Sequence, residues 1–150
     1  ASWTRTQNHH PNIENYFGNS QLDAFLSRTE ILINVLPLTE YTEEILCKRT
    51  LSMLPRGASI INIGRGQHIV DQDLIDLLNS GHLESATLDV FREEPLATTH
   101  PFWKNPKITL MPHTARKTRP TNIIPQIIEN IRRFRANEPL LQLVDIHAGY

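Results

Sequence analysis

The sequence predicts an α/β fold with a doubly wound parallel sheet and a C-terminal crossover helix. Four short apolar runs have the length of strands, are rich in β-branched residues and are nearly continuous, which is typical of strands buried on both faces. Segments with helical periodicity separate these runs at the spacing of βαβ units. After the last run, a long apolar stripe at helical intervals predicts one more helix.

The first elements have clear local signals. Ser20 is expected to cap a helix that precedes the first apolar run. Thr42 is expected to cap a second helix over residues 42–54, where Glu43 and Glu44 suit the positive end of the helix dipole. The strands are predicted over residues 31–36, 58–63, 86–91 and 107–111.

The remaining elements lie at the two ends of the chain and before the third strand. Asp71 is expected to cap a third helix, which Gly81 ends. The last helix is expected to begin near Pro120, with Pro125 either kinking it or delaying its start. Residues 2–6 have the character of the end of a further strand.

The composition narrows the class of protein. The chain has 150 residues, a formal net charge of −1 and 39% hydrophobic residues, which fits one globular domain and argues against disorder. Near-neutral charge argues against a nucleic-acid partner, and no apolar run approaches the roughly 20 residues that span a bilayer. The single cysteine, Cys47, cannot form an internal disulfide. We therefore expect a cytoplasmic protein with neither nucleic acid nor membrane as a partner.

The seven histidines do not have the spacing of metal ligands. No metal site is therefore predicted. We interpret six of these histidines as surface residues, namely His9, His10, His68, His82, His100 and His147.

Three side chains follow successive predicted strands and could form one site. Arg65 lies between two glycines after the second strand, Glu94 follows the third, and His113 follows the fourth. Parallel strands place their carboxyl ends, and therefore these side chains, at one edge of a sheet. Each of the three, taken singly, is more typical of a surface residue.

Taken together, the three residue types match one kind of chemistry. A guanidinium can hold a carboxylate through two parallel hydrogen bonds. An imidazole beside a carboxylate is a suitable general acid near neutral pH. The combination of Arg65, Glu94 and His113 therefore fits the reduction of an anionic 2-oxo acid, with a proton delivered to the carbonyl oxygen.

The order of these motifs resembles the D-2-hydroxyacid dehydrogenase family through the whole chain. The similarity is carried by residues 36–39, 62–66, 88–91, 94–96, 101–103 and 112–113. Within that family the chain is most similar to the glyoxylate/hydroxypyruvate reductase A branch, through residues 3–6, 118–120 and 144–145.

The resemblance implies a role for each matching residue. Arg65 would bind the substrate carboxylate and carbonyl, Glu94 would pair with the catalytic histidine, and His113 would be the acid/base. Positions in contact with the cofactor would be Arg5, Pro37, Ile63, Gly64 and Asp89.

The same resemblance implies where each cofactor-binding position would lie. Asp89 would lie near the nicotinamide carboxamide, Ile63 and Gly64 beside the ring, and Pro37 on a loop that passes the cofactor. Arg5 would lie at the adenosine 2′-phosphate. Because residues 2–6 include no acidic side chain, we expect NADP as the cofactor, with NAD as the second choice.

The resemblance also implies that the chain covers part of an enzyme. Residues 1–117 would be the C-terminal part of a Rossmann-type NAD(P)-binding domain, and residues 118–150 a helix and tail that return to a substrate domain. The G-x-G-x-x-G turn of the family does not occur in the 150 residues. We therefore expect a truncated form of an oxidoreductase that reduces a small 2-oxo acid such as glyoxylate or hydroxypyruvate, with a homodimer as the complete enzyme. The alternative is a non-catalytic remnant or an interaction module that retains the fold.

Overall fold

The computed structural model describes residues 1–7, 9–115 and 119–146. Within those residues the chain forms six strands and four α-helices. The strands are β1 (Ser2–Thr4), β2 (Asn15–Phe17), β3 (Ile31–Asn34), β4 (Ala58–Asn62), β5 (Leu83–Leu88) and β6 (Ile108–Leu110). The helices are α1 (Asn19–Leu26), α2 (Lys48–Leu51), α3 (Asp71–Asn79) and α4 (Pro120–Arg135), and short 3-10 turns cover Gly66–His68 and Pro101–Lys104.

All of the strand pairs are parallel. Strands β3, β4, β5 and β6 form a four-stranded sheet in that order, and β1 pairs with β2 in a separate two-stranded sheet. Asn34 lies opposite Asn62, and Asn62 lies opposite Leu88, so the carboxyl ends of β3, β4 and β5 are level. The predicted α/β architecture is confirmed, because each of the four apolar runs contributes one strand to this parallel sheet.

The strands differ from their predicted form in their burial and in several boundaries. Strand β3 ends at Asn34 and not at residue 36, and β5 ends at Leu88 and not at residue 91. In β3, Leu32 and Asn34 are buried, whereas Ile31 and Ile33 are 62% and 55% exposed. The prediction that every strand is buried on both faces is therefore wrong for β3, because the helices cover the face that carries Leu32. It is also wrong for the edge strand β6, in which no residue is buried. Strand β5 begins at Leu83, three residues before the predicted start at residue 86.

Leucines from the helices and strands fill the core between the sheet and its helices. Burying one such side chain stabilises the fold by about 1.5–3 kcal/mol relative to exposure. The leucines that are at most 2% exposed are Leu26, Leu51, Leu54, Leu74, Leu78, Leu83 and Leu88.

The helix predicted over residues 42–54 is much shorter than expected. Only α2, Lys48–Leu51, is helical, and Thr42 does not cap it. The Thr42 hydroxyl instead accepts a hydrogen bond from the Thr39 N–H (2.8 Å) and donates one to the Pro37 carbonyl (2.7 Å). Leu46 forms a parallel bridge with Ile69. These contacts hold the segment before α2 in a non-helical path.

The other predicted caps are partly correct. Ser20 lies inside α1, whose N-cap is Gly18, and Asp71 is the first residue of α3, whose N-cap is Val70. Gly81 follows the C-cap of α3 with φ of +71°, a conformation that glycine adopts at low cost, so its predicted role is confirmed.

The final helix begins at Pro120, as predicted, and continues through Pro125. None of its residues is buried. Gln126 and Asn130 contact the following tail through Gln142 and Leu141. Its exposed apolar side chains are Ile123, Ile124, Ile127, Ile128, Ile131 and Phe134. Among the helices formed by the described residues, none combines the length and the apolar character needed to cross a bilayer.

The two sheets are separated by an open groove of about 550 Å³. Ser2 and Trp3 of β1 line one side of the groove and β3 lines the other, so each of these strands has an edge that faces the groove. The prediction of a strand near residues 2–6 is confirmed by β1, whereas its partner β2 was not predicted. Trp3 stabilises this small sheet by donating a hydrogen bond from Nε1 to the Gly18 carbonyl (2.9 Å).

Candidate active site

The sequence-predicted site residues all follow the carboxyl ends of parallel strands. This edge is where open α/β sheets bind their ligands. Arg5 follows β1, Pro37 follows β3, and Asp89 directly follows β5. Glu94 also follows β5, and His113 follows β6. The residues that follow β4 are Ile63, Gly64 and Arg65.

Glu94 and His113 form a direct hydrogen-bonded pair. His113 Nδ1 lies 2.7 Å from Glu94 Oε2, and Glu94 Oε1 accepts a hydrogen bond from the Phe91 N–H at 3.0 Å. Burial of the Glu94 carboxyl acts to raise its pKa, but the hydrogen bonds from His113 and Phe91 and the charges of His113 and Arg65 outweigh burial and lower the pKa. Glu94 is therefore an ionised partner for the imidazole at neutral pH.

Asp89 holds the turn that carries His113. Its two carboxylate oxygens accept hydrogen bonds from the Thr114 N–H (2.8 Å) and the Ala115 N–H (2.9 Å). His113 itself has φ of +54°, a left-handed conformation that is uncommon for residues other than glycine and typical of functional sites. The buried Asp89 side chain thus fixes the backbone that aims His113 at Glu94, and its role beside a nicotinamide stays a prediction.

Arg65 lies on the same small cavity as the Glu94–His113 pair. The cavity measures about 270 Å³, and Gln67, Phe91 and Arg92 line it with these three residues and Gly66. Arg65 Nη1 donates a hydrogen bond to the Gly64 carbonyl at 2.7 Å, and the side chain is otherwise open to solvent. The structure therefore brings Arg65, Glu94 and His113 together, as the sequence predicted.

Gly66 explains how closely two loops approach each other, the Arg65 loop (residues 63–66) after β4 and the Glu94 loop (residues 89–100) after β5. A Cβ at Gly66 would stand 1.8 Å from the Phe91 carbonyl carbon and 2.2 Å from the Arg92 nitrogen, which only glycine avoids. The contact is reinforced by Gln67, whose Nε2 donates to the Arg92 carbonyl at 3.2 Å. Arg92 in turn donates to the Ile69 carbonyl at 2.9 Å.

The prediction of six surface histidines is only partly correct. His9 and His10 are exposed, but His68 is fully buried and the side chain of His100 is only 22% exposed, with Nε2 3.4 Å from Asp71 Oδ2. His82 is partly buried, and its Nε2 has no hydrogen-bond partner in the part of the chain that the structure describes. His147 lies outside the described residues.

The burial of His68 could not be predicted from its neighbours in sequence. Its partners come from the ends of two different strands: Asn34 is the last residue of β3, Pro37 lies in the loop after β3, and Arg65 lies in the loop after β4. One available signal is that Asn34 and Asn62 are polar residues inside two apolar runs. Buried polar groups of this kind need hydrogen-bond partners.

No metal site is formed by the residues that can be described. Across residues 1–7, 9–115 and 119–146, no three His, Cys, Asp or Glu side chains are placed to hold a metal ion.

Comparison with known sequences identifies close relatives. The sequence profile described as D-isomer specific 2-hydroxyacid dehydrogenase, NAD binding domain, matches residues 1–115. Over 148 residues the chain is 41% identical to glyoxylate/hydroxypyruvate reductase A of Yersinia enterocolitica, an alignment that covers 99% of this chain and 47% of that protein. The chain therefore spans about half the length of the curated relatives it matches.

Comparison with solved structures gives the same family. A D-isomer specific 2-hydroxyacid dehydrogenase from Xanthobacter autotrophicus, solved with NADPH and MES, has a TM-score of 0.95 at 41% identity, covering 99% of this chain and 61% of that one. An NADPH-dependent glyoxylate/hydroxypyruvate reductase from Sinorhizobium meliloti, solved with NADP and sulfate, has a TM-score of 0.91 at 36% identity, covering 99% of this chain and 48% of that one.

Proposed function

This chain belongs to the D-isomer specific 2-hydroxyacid dehydrogenases, and from that premise we propose that it is part of an NADPH-dependent reductase of small 2-oxo acids such as glyoxylate or hydroxypyruvate. The observation that carries the proposal is the 2.7 Å pair of His113 and Glu94 on one cavity with Arg65. An acid, its anionic partner and a cation that can hold a carboxylate are the groups that this reduction needs.

The residues at the ends of β3 and β4 fit the nicotinamide half of a cofactor. Continuing the register of these strands places Val35 beside Ile63, and their side chains are 65% and 40% exposed. A Cβ at Gly64 would stand 3.0 Å from Asn34 Nδ2 and 3.1 Å from the Leu36 carbonyl, so glycine lets the two loops approach. Ile63 and Gly64 would lie beside the ring, with Asp89 near the carboxamide. The loop that carries Pro37 would pass the cofactor, and Arg5 would bind the 2′-phosphate.

The hydrogen bonds that the site residues already make indicate the proposed role of each residue in the reaction. The cofactor, when bound, supplies the hydride for carbon C2 of the substrate. Arg65 would bind the substrate carboxylate in two-point fashion and orient the carbonyl. Because Nδ1 of His113 is held by Glu94, Nε2 is the ring nitrogen that would donate a proton to the carbonyl oxygen. The Glu94 carboxylate would stabilise the protonated imidazole before the transfer.

The test of this function is direct. The natural polypeptide that contains residues 1–150 is assayed for oxidation of NADPH in the presence of glyoxylate and of hydroxypyruvate. Reduction of either acid supports the proposal. A properly folded polypeptide that reduces no 2-oxo acid would instead favour the alternative, a non-catalytic remnant or an interaction module.

Changing Glu94 to glutamine is expected to move the pH dependence of this reduction. The amide cannot stabilise the protonated His113 as the carboxylate does, so activity should fade at a lower pH than in the parent while remaining measurable at acidic pH. The measurement is the pH profile of kcat/KM for the 2-oxo acid. Glu93→Gln is the matched control, because Glu93 is the exposed neighbour in sequence, and its profile should coincide with that of the parent. An unmoved profile in Glu94→Gln contradicts the assigned role.

Cofactor choice gives a second expectation. NADPH should be preferred to NADH, and Arg5→Gln should lower kcat/KM for NADPH by roughly 10–100-fold with little change for NADH, because one charged hydrogen-bond partner of the 2′-phosphate is lost. Arg49→Gln serves as the control, since Arg49 pairs with Asp23 on the surface. A parent enzyme that prefers NADH would refute the assignment of Arg5.

The remaining expectations concern organisation and location. We propose that residues 118–150 leave the cofactor domain of residues 1–117 and pack on a substrate domain, which is supported by the exposed apolar side chains of α4.

A homodimer and a cytoplasmic location stay predictions. The homodimer rests on the family resemblance, and the cytoplasmic location is consistent with the lone Cys47. Light scattering and cell fractionation of the natural polypeptide check them.

A further inference from the structure

A buried polar cluster lies beneath the loop that carries Arg65, and the proposed reaction makes no use of it. We call it the Asn–His cluster; it consists of Asn34, Asn62 and His68, each of which is at most 4% exposed. Polar side chains are costly to bury unless their hydrogen bonds are satisfied, so the partners of the cluster indicate what it holds in place.

Both ring nitrogens of His68 are engaged by different loops. Nδ1 lies 2.8 Å from Asn34 Nδ2 and accepts a hydrogen bond from the Arg65 N–H at 3.2 Å, while Nε2 lies 3.2 Å from the Pro37 carbonyl oxygen. A carbonyl can only accept, so Nε2 carries the hydrogen, and Nδ1, which faces two donors, carries none. Burial lowers the pKa of His68, which keeps this tautomer neutral.

The two asparagines add the remaining hydrogen bonds that hold the Arg65 backbone in place. Asn34 Oδ1 accepts from the Leu36 N–H at 3.2 Å, which orients the amide so that Nδ2 can donate to Asn62 Oδ1 at 2.9 Å and to His68. Asn62 Oδ1 also accepts from the Gly64 N–H at 3.1 Å, and Asn62 Nδ2 donates to the Arg65 carbonyl at 3.0 Å. The cluster thus binds Arg65 at both its N–H and its carbonyl oxygen.

We propose that His68 is a positioning residue that sets the Arg65 loop (residues 63–66) against the Pro37 loop (residues 36–39). Its Nδ1 holds the backbone N–H of Arg65, the residue that would bind the substrate, and its Nε2–H holds the Pro37 carbonyl on the loop that would pass the cofactor. The two ligands would then be aligned through one buried imidazole that touches neither of them. This inference rests on the proposed function for what the two loops bind.

Two substitutions test separately the hydrogen bond from the Arg65 N–H to His68 Nδ1 and the one from His68 Nε2 to the Pro37 carbonyl. His68→Asn places an amide oxygen near the position of Nδ1 and loses the link to Pro37, whereas His68→Gln places an amide nitrogen near the position of Nε2 and loses the acceptor for Arg65. Losing one neutral hydrogen bond corresponds to roughly a three- to tenfold change in a binding constant. In the natural polypeptide we therefore expect His68→Asn to raise KM for NADPH by that factor and His68→Gln to raise KM for the 2-oxo acid, each with the other KM within about twofold.

The control is His82→Gln, a partly buried histidine outside the predicted site, which should leave both KM values unchanged. A merely structural role for His68 predicts that both variants raise both KM values together, in proportion to their loss of stability. That outcome, or unchanged KM values in both variants, would overturn the inference.

A spectroscopic measurement keeps the inference testable if the natural polypeptide reduces no 2-oxo acid. Long-range ¹H–¹⁵N spectra of the histidine rings should show His68 as the neutral Nε2–H tautomer at pH 7. Amide exchange at Arg65 should become faster in His68→Gln but not in His68→Asn. An Nδ1–H tautomer, a protonated ring or equal exchange in both variants would refute the positioning role, whereas failure of the assay alone would refute only the proposed function.

Discussion

Replacing His113 with alanine is expected to lower kcat for 2-oxo acid reduction by about 10²–10⁴-fold, the contribution typical of a positioned proton donor. KM for the substrate should change much less, because Arg65 and its loop remain in place. Stability should also change little, since the His113 side chain is exposed and its contact with Glu94 lies near the surface. Steady-state kinetics of the natural polypeptide give kcat and KM, and a thermal unfolding curve for each variant gives its stability.

The control for this variant is His10→Ala, which removes an exposed histidine from the loop between β1 and β2. Its kcat should equal that of the parent. If His113→Ala retained near-parental turnover, proton delivery by His113 would be wrong, and the Glu94–His113 pair would be a surface contact.

Gly66→Ala is expected to produce the largest loss through backbone geometry alone. A methyl group 1.8 Å from the Phe91 carbonyl carbon cannot be accommodated, so the Arg65 loop must move away from the Glu94 loop. Overpacking of this kind costs typically about 1–3 kcal/mol of stability. A displacement of about 1 Å between reacting groups can cost about 10²-fold in rate, so kcat/KM should fall by at least that factor.

Gly57→Ala is the control that distinguishes an effect of lost stability from an effect of a displaced Arg65 loop. Gly57 has φ of +86°, and no heavy atom lies within 4 Å of the position that a methyl group would take there. Alanine at this position therefore costs about 1–2 kcal/mol through backbone conformation and creates no clash. We expect a comparable drop in the free energy of unfolding but parental kcat/KM. Equal loss of activity in the two variants would show that Gly66 acts only through stability.

The strands and the grouping of Arg65, Glu94 and His113 could be predicted because their signals are local. An apolar run such as residues 58–63 indicates a buried strand without reference to any other segment, and strand order then places Arg65, Glu94 and His113 at one edge. The three residues of β2 have no such signal, because so short a strand is stabilised by its pairing with β1 and not by its own pattern.

The parts that could not be predicted depend on contacts between distant segments. Thr42 carries the signal of an N-cap, yet its hydroxyl is used by Thr39 and Pro37, which removes the predicted first turns of α2. His68 has no distinguishing neighbours in sequence, and its burial follows from Asn34, 34 residues away. Tertiary hydrogen bonds of this kind override local propensity.

The separation of the two sheets affects how the chain opens under native conditions. Among the residues that the structure describes, β1 and β2 pair with each other through three residues each, and no ladder of hydrogen bonds links them to β4 and β5 at the centre of the larger sheet. An isolated two-stranded sheet is marginal in water, and helix α1 is the element through which it packs on the rest. The pair should therefore behave as a foldon of its own, whose amide protons exchange through a sub-global opening of lower free energy than the one that exposes β4.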